Sequence, residues 1–234
     1  MDELIHFDQQ LLLAMNGSES IYLDNIFLMV TRTGTWIPLV LVLLYILLKN
    51  RPWREVVLFV VCLALVILVA DRFSSGLCKP FFHRFRPSHE PALEGLVDLV
   101  NGCRGGLYGF ISSHAANTFG VATFVALYLR RRPLTWTLFL WACLSSYSRI
   151  YLGLHYPGDI LAGALFGSLT GLCVYVLMLW ASARWLEPLR PEWPVAPTIL
   201  GYRSTPEGIA PRDALLFALA FLLTLTAIAL QALS

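Results

Sequence analysis

Three short motifs in this chain contain the side chains that could carry out chemistry. In chain order they are Lys79-x6-Arg86-Pro87, Ser112-Ser113-His114 and Ser148-Arg149-x5-His155-x3-Asp159. Together they supply three cations, two imidazoles, several hydroxyls and one carboxylate. Cations and hydroxyl donors can hold the oxygens of a phosphate group, and an imidazole can attack its phosphorus atom. The motifs therefore predict a site that binds and cleaves a phosphate ester.

The third motif is the most specific of the three. His155 and Asp159 are four residues apart, so the carboxylate can hold one nitrogen of the imidazole ring. That contact would select the tautomer and leave the other nitrogen as a nucleophile. Arg149 offers a planar fork of donors that matches phosphate oxygens. The alternative interpretation is a structural arginine–aspartate pair near the membrane interface.

The second motif lies where an apolar run begins. Ser112 is placed to cap a helix there, and the free amides of a first helical turn can bind an anion. Ser113 adds a hydroxyl, and His114 in that first turn would lean over the bound anion. The alternative is an ordinary capped helix with a solvated histidine.

The first motif places Lys79 and Arg86 seven residues apart, which is two helical turns. Both side chains would point the same way if the helix continues. Pro80 makes that continuation uncertain, because the residue before a proline is biased away from helix. The alternative is a basic rim whose side chains extend to the membrane surface.

Charged residues inside an apolar stretch are costly and often functional. Asp71 and Arg72 lie in such a stretch before Lys79 and could orient it, and Ser148 could play a similar supporting role beside Arg149. The alternative for Asp71 and Arg72 is a pair that only neutralises itself.

The elements that carry the motifs are predicted to be membrane-spanning helices. The chain has 234 residues, of which 57% are hydrophobic and 14% charged, whereas soluble domains have about 25% charged residues. Long apolar runs predict an all-α, polytopic helical bundle with about six spans. The predicted spans are Thr35–Leu48, Val56–Leu77, Ala115–Leu129, Leu134–Tyr147, Ile160–Trp180 and Ala214–Ala232.

Four regions follow from this pattern. Residues 1–33 contain two short apolar segments, around Leu4–Met15 and Ile21–Val30, predicted to lie at the membrane interface. Alternatively, the second segment joins the next helix as one long tilted span. Residues 34–182 form the membrane-embedded core, 183–212 form a Pro-rich cytoplasmic segment that is predicted to be extended, and 213–234 form a C-terminal transmembrane helix.

The charge pattern predicts the orientation of the bundle. Basic residues outside the motifs follow the first, third and fifth spans: Lys49, Arg51, Arg54, Arg130, Arg131, Arg132, Arg184 and Arg190. The positive-inside rule assigns these loops to the cytoplasm. All three motifs then lie on the opposite side. We therefore expect a protein of the bacterial cytoplasmic (inner) membrane whose site faces the periplasm or exterior.

The three motifs resemble those of the type 2 phosphatidic acid phosphatase family, which comprises integral-membrane lipid phosphatases related in their core to vanadium haloperoxidases. The resemblance covers Val56–Trp180. It implies that His155 is the nucleophile, that Asp159 orients it and that His114 protonates the leaving oxygen. The phosphate-binding residues that it implies are Lys79, Arg86 and Arg149, to which the predicted helix start adds Ser112 and Ser113.

One position departs from the family pattern. The family's second motif usually reads Pro-Ser-Gly-His, whereas this chain has Ile111-Ser112-Ser113-His114. Serine at position 113 keeps the backbone amide and adds a hydroxyl, but loses the conformational freedom of glycine.

The resemblance implies hydrolysis of a phosphorylated lipid through a phosphohistidine intermediate, with undecaprenyl diphosphate as the favoured substrate. Lipid A, phosphatidylglycerol phosphate and phosphatidic acid are alternatives, and a non-catalytic carrier of phosphorylated lipid is a further one. We expect no cofactor and no metal, because three cations can neutralise the phosphate.

The net charge and the cysteines limit the kinds of partner and bond that the sequence predicts. The net charge of +2 gives no reason to expect a nucleic acid partner, and the sequence leaves the oligomeric state open. The five cysteines have no metal-ligand spacing. Cys78 and Cys103 flank one long loop and could form a disulfide if that loop is extracytoplasmic.

Overall fold

The computed structural model describes residues 2–186, 196–197, 203–204 and 209–233. The helices are α1 Asp2–Met15, α2 Ile21–Val30, α3 Ile37–Asn50, α4 Trp53–Asp71, α5 Lys79–Phe82, α6 Ser113–Leu129, α7 Arg132–Tyr151, α8 Pro157–Ala181 and α9 Pro211–Gln231. Two short antiparallel strands, β1 Ala196–Pro197 and β2 Arg203–Ser204, pair Ala196 with Ser204. The prediction of a polytopic helical bundle is confirmed.

Within the described part of the chain, four helical stretches are long and apolar enough to cross a membrane: Thr33–Asn50, Trp53–Phe82, Pro157–Trp185 and Pro211–Gln231. The other two predicted spans correspond to α6 and α7, helices of 17 and 20 residues. Both pack against several helices, α6 against α4, α7 and α8, and α7 also against α2 and α9. Every residue of α6 is buried or half-buried, so that helix needs less apolar surface of its own than the outer helices. On α7, by contrast, Trp136, Leu140 and Cys143 form an exposed apolar stripe.

Small residues bring α6 and α8 into close contact. Gly163, Gly167 and Gly171 recur every four residues along one face of α8. A Cβ atom at Gly167 would lie 2.1 Å from the carbonyl oxygen of Ala116, and one at Gly163 would lie 2.5 Å from that of Ser112. Such spacing of small residues allows helix backbones to approach closely in a membrane. The contact places the beginning of α6, with the second motif, beside the beginning of α8.

The N-terminal segments form separate helices. α2 ends at Val30, and a 3-10 turn over Thr33–Trp36 separates it from α3, so the alternative of one long helix is wrong. α1 packs against α7 and α8. The Asn16 side chain, which follows α1, donates to the Tyr151 carbonyl at 2.7 Å. Location of α1 and α2 at the membrane interface stays a prediction.

The first motif does not form the helical stripe that its spacing predicts. A π-helical turn, Arg72–Cys78, joins α4 to α5, and the Lys79 amide bonds the Ser74 carbonyl five residues back. The helix thus continues through Pro80 but ends at His83, which has a left-handed backbone with φ of 48°. Arg86 then lies in an extended segment whose amide donates to the Leu107 carbonyl at 3.0 Å. Lys79 and Arg86 therefore reach the site from different directions.

The motifs and the basic loops occupy opposite ends of the bundle. His114 lies in the first turn of α6, whereas Arg130 follows the last residue of that helix. At this far end, Lys49 forms an ion pair with the buried Asp213 at 2.6 Å. Arg130 donates to the Tyr175 hydroxyl at 2.8 Å. The separation that the charge pattern requires is therefore present.

Two remaining predictions concern the loops. Cys78 and Cys103 are both free thiols, so the disulfide considered above is not formed. Most of the Pro-rich segment 183–212 lies outside the described residues. Its described portions include a π-helical turn over Ser182–Leu186, contrary to the predicted extended conformation there, and the strands β1 and β2.

Candidate active site

The site is centred on His155, in the turn between α7 and α8. Its Nδ1 atom lies 3.2 Å from Oδ2 of Asp159 in the first turn of α8. A carboxylate only accepts, so Nδ1 carries the hydrogen and Nε2 keeps its lone pair. The same Oδ2 atom accepts the Tyr156 amide at 3.2 Å. The four-residue spacing therefore produces the predicted contact and leaves Nε2 as the nucleophilic nitrogen.

Burial keeps this imidazole neutral. His155 is 2% exposed and Asp159 is 0% exposed. Burial lowers the pKa of His155 to about 4, and the charges of Arg86 and Arg149 act in the same direction while Asp159 opposes them. A nucleophilic histidine must be unprotonated, so the surroundings favour the reactive form at neutral pH.

The glycine-rich run before the second motif brings Arg86 to this pair. A Cβ atom at Gly109 would lie 3.0 Å from Oδ2 of Asp159, 3.2 Å from Cγ of Arg86 and 3.6 Å from Nδ1 of His155. A side chain at this position would press on Asp159 and Arg86, so glycine lets the three groups approach closely. Arg86 is held by two carbonyls, those of Tyr108 and Leu154, each at 3.2 Å. The first and third motifs thus meet across Gly109.

The second motif is joined to both others. The Ser112 hydroxyl accepts the Ala115 amide at 3.4 Å, which confirms the predicted helix cap. The Ser112 amide donates to the Asp159 carbonyl at 3.0 Å. Nζ of Lys79 donates to the Ser113 hydroxyl at 2.7 Å. The serine that replaces the expected glycine is therefore a direct partner of the first motif's lysine.

His114 and Arg149 face the same region. Nε2 of His114 lies 2.9 Å from the Ser145 hydroxyl, and the ring interacts electrostatically with both Arg149 and His155. Arg149 donates from one terminal nitrogen to the Thr31 hydroxyl at 2.7 Å. Its Nε atom is buried and has no hydrogen-bond partner among the described residues. A buried unpaired donor is costly, and a phosphate oxygen would satisfy it.

The charge of the site favours an anion. The described ion pairs do not involve Lys79, Arg86 or Arg149. Their hydrogen bonds go to neutral hydroxyls and carbonyls, and their charges repel one another. Asp159 itself is paired with a fourth cation, Arg84, at 2.9 Å. Three cations held together by neutral groups form a strong site for a multiply charged oxyanion.

Some of the predicted site residues make their contacts elsewhere and have a smaller part in the site. The Ser112 hydroxyl is fully buried and occupied by the helix cap, so it does not face the site freely. Ser148 donates to the Ser145 carbonyl of its own helix at 2.6 Å. Asp71 is linked to Lys79 through the Ser75 hydroxyl, 3.5 Å from its Oδ1, and also acts on Lys79 through its charge. Arg72 is exposed, and the described contacts do not link it to Lys79.

Sequence reasoning missed four residues that support the site. Arg84 lies two positions before Arg86, and in an extended segment this spacing places both on one face. Ser145 lies four positions before Arg149 on α7, a spacing that could have revealed it. Ser75 is four before Lys79 and has the same signal. Thr31 lies after α2, far from every motif, and no sequence signal points to it.

Comparison with known proteins agrees with the geometry. A model of the PAP2 superfamily matches residues 55–183. A lipid A 4'-phosphatase of Bacteroides thetaiotaomicron is 41% identical over 203 residues, covering 86% of this chain and 88% of that protein. A lipid A 4'-phosphatase of Porphyromonas gingivalis is 37% identical over 196 residues, covering 84% and 83%.

Two crystal structures have a similar fold. LpxE of Aquifex aeolicus has a TM-score of 0.53 and 27% identity, with 70% of this chain and 92% of that chain covered. A PAP2-type phosphatidylglycerolphosphate phosphatase of Bacillus subtilis has a TM-score of 0.56, with 79% and 89% covered. The second is 19% identical and supports the fold alone.

Proposed function

Because this chain belongs to the PAP2 superfamily and is therefore an integral-membrane phosphatase, we propose that its substrate is lipid A and that it removes the 4'-phosphate. Two relatives with this activity in their names match more than four fifths of the chain. The undecaprenyl diphosphate preference that the sequence suggested has no counterpart in those names. The single observation that carries a phosphoester hydrolase is the joining of all three motifs around His155.

The reaction would proceed in two displacements. Nε2 of His155 forms a bond to phosphorus while the bond to the sugar oxygen breaks, and His114 donates a proton to that oxygen as its imidazolium. Burial and the neighbouring charge of Arg149 lower the pKa of His114 before phosphate binds. The negative charge of a bound phosphate would raise that pKa again and favour the acid form. A water molecule then attacks the phosphohistidine, His114 accepts its proton, and the N–P bond breaks. The products are the dephosphorylated lipid and inorganic phosphate, and His155 returns to its neutral form.

The cations would stabilise the charge that develops on the phosphoryl oxygens. Arg86 is fixed by two carbonyls and Lys79 by the hydroxyls of Ser75 and Ser113. Since these contacts exist before substrate arrives, little reorganisation is needed during the reaction. One such pre-placed donor is worth about 2.7–4 kcal/mol of transition-state stabilisation.

The proposed location is the bacterial inner membrane, with the site open to the periplasm. Support comes from the position of the basic residues at the bundle end remote from His155, which the positive-inside rule assigns to the cytoplasm. Cysteine-labelling from either side of the membrane tests this orientation. Labelling of a cysteine introduced at exposed Gly106 should need no membrane permeation, and labelling only after permeation would reverse the assignment.

The substrate is tested by phosphate release from a panel of lipids with purified protein in detergent. Hexa-acylated bisphosphoryl lipid A should be hydrolysed fastest, and mass spectrometry of the product should locate the loss at the 4' position. Undecaprenyl diphosphate, phosphatidylglycerol phosphate and phosphatidic acid are the comparison substrates. Faster turnover of any of these, or loss of the 1-phosphate instead, would contradict the proposal.

The covalent step is tested by trapping. Rapid quenching of protein with substrate labelled in the phosphate should leave an acid-labile, base-stable label in wild-type protein and none in His155→Ala. His6→Ala is the matched control, because His6 is exposed on α1. Wild-type turnover in His155→Ala would exclude this nucleophile. Labelling that persists in that variant would place the intermediate elsewhere.

A further inference from the structure

The carboxylate that orients His155 is itself held from outside the three motifs. One terminal nitrogen of Arg84 lies 2.9 Å from Oδ1 of Asp159, and the other lies 2.7 Å from Oδ2 of Asp8. The guanidinium also stacks over the Tyr156 ring, 4.1 Å from its centre. Arg84 therefore bridges two acidic side chains, one on α8 and one on the N-terminal helix α1.

Both oxygens of Asp159 are occupied as a result. Oδ1 accepts from Arg84, while Oδ2 accepts from His155 and from the Tyr156 amide. A carboxylate held at both oxygens cannot rotate, so Arg84 and the Tyr156 amide together determine the direction in which it presents Oδ2 to the imidazole. Because the tautomer and orientation of a nucleophilic histidine depend on this acceptor, the bridge bears directly on the reacting nitrogen.

α1 contributes the second half of the arrangement. Oδ1 of Asp8 accepts the Gly158 amide at 2.8 Å, and Gly158 is the residue before Asp159. A Cβ atom at Gly158 would lie 2.6 Å from Oδ2 of Asp8, so only glycine leaves room for this contact. Asp8 thus holds the first turn of α8 through its backbone and, through Arg84, the carboxylate beside it.

Resting on the proposed reaction, we propose that Arg84 and Asp8 are positioning residues that fasten Asp159 and so keep His155 oriented and neutral for attack. Arg84 compensates the buried carboxylate, which would otherwise attract a proton onto the adjacent imidazole. The alternative is a purely structural role, in which Arg84 only holds α1 against the bundle. The two differ in what happens to His155 when the bridge is removed.

The electrostatic consequence has a definite sign. The charged or titratable groups that act on His155 are Asp159, Arg86, Arg149 and His114. Asp159 favours the imidazolium, and the two arginines oppose it. Removing the Arg84 charge leaves Asp159 free to favour the imidazolium more strongly. The pKa of His155 should therefore rise in Arg84→Gln, although no group touching the ring has changed.

The test combines kinetics with a titration that needs no substrate. In Arg84→Gln we expect kcat to fall about 10- to 100-fold, the value of a charge-assisted hydrogen bond, with KM nearly unchanged. Histidine ring resonances of the purified protein in detergent, with His155 identified by its loss in His155→Gln, should titrate at higher pH. Arg84→Lys should recover only part of kcat, because an ammonium group cannot span both carboxylates in a planar fork.

Asp8→Asn and its control complete the experiment. Asp8→Asn keeps an acceptor for the Gly158 amide but removes the charge paired with Arg84, so it should lower kcat less than Arg84→Gln does. Glu3→Gln is the matched control on the exposed part of α1 and should leave kcat unchanged. An unshifted His155 titration in Arg84→Gln would overturn the proposal, whether kcat falls or not. The kinetics use whichever lipid the wild-type protein hydrolyses best, so failure of lipid A as substrate gives a separate result.

Discussion

Replacement of Arg149 by lysine tests the phosphate site most directly. Arg149→Lys keeps the positive charge but removes the planar fork. In the structure one terminal nitrogen of this fork donates to the Thr31 hydroxyl at 2.7 Å, and the buried Nε has no hydrogen-bond partner among the described residues. The remaining N–H groups of the Arg149 guanidinium are available to phosphate, so the variant tests the geometry of the donors rather than the charge.

The expected magnitude follows from the number of donors lost. Lysine at this position would keep one point charge and lose at least one oriented donor. Loss of one pre-placed donor costs about 2.7–4 kcal/mol in the transition state, which is about 10²- to 10³-fold in kcat. Thr31→Val removes only the group that holds the fork in place. We expect a smaller decrease there, about tenfold, the lower limit for a hydrogen bond to a charged group.

Steady-state phosphate release from detergent-solubilised protein measures both effects. Combining the variants adds a further condition: once lysine occupies position 149, Thr31→Val should have little additional effect, because the interaction is already lost. Arg54→Lys, at the opposite end of the bundle, is the control for replacing an arginine by a lysine far from the site. Wild-type kcat in Arg149→Lys would refute the inference that its fork holds phosphate, and fully additive losses would refute the link to Thr31.

Three further predictions concern the lysine, the histidine and the helix contact. Ser113→Ala and Ser75→Ala each remove a hydroxyl that holds Lys79 and should lower kcat about tenfold, with less than additive loss in the double variant; independent effects would exclude a shared role. Because the pKa of His155 is held at about 4 and the neutral ring is the nucleophile, the acidic limb of kcat/KM should appear only as pH decreases towards 4, after correction for ionisation of the substrate phosphate, while any alkaline limb reports the acid His114; an acidic limb near about 6.5, the pKa of a solvated histidine, would contradict it. Gly167→Ala should reduce the free energy of unfolding by about 1–3 kcal/mol or more, seen as a lower Tm, because its Cβ would overlap Ala116. Gly34→Ala is the control, since a Cβ there meets no atom within 4 Å and should leave Tm nearly unchanged. Equal Tm values for the two variants would show that α6 and α8 can move apart at no cost.

The sequence predicted a large part of the fold because membrane-spanning helices are recognisable as long runs of apolar residues. Every apolar run that was assigned as a span is a helix, and α1 and α2 begin and end close to the predicted segments. The Ser112 cap and the His155–Asp159 contact were also predictable, since both depend on residues at most four positions apart. Local spacing is sufficient where the geometry of one helical turn determines the contact.

The path of the first motif could not be derived in this way. Its seven-residue spacing indicated one helical face, but a π-helical turn and the left-handed His83 redirect the chain. Arg86 is then placed by hydrogen bonds to Tyr108 and Leu154, which are distant in sequence. A tertiary contact of this kind competes with local propensity and has no periodic signature.

The sequence by itself therefore determined the membrane bundle, the types of reactive side chain and the end of the bundle on which they lie. Only the tertiary structure decided which neutral groups hold each cation, and that Arg84 and Asp8 belong beside the catalytic carboxylate. The physical reason is that hydropathy and helical periodicity act over a few residues. The partners of a buried charge are chosen instead by the close approach of helices, which at Gly167 depends on the absence of a single side chain.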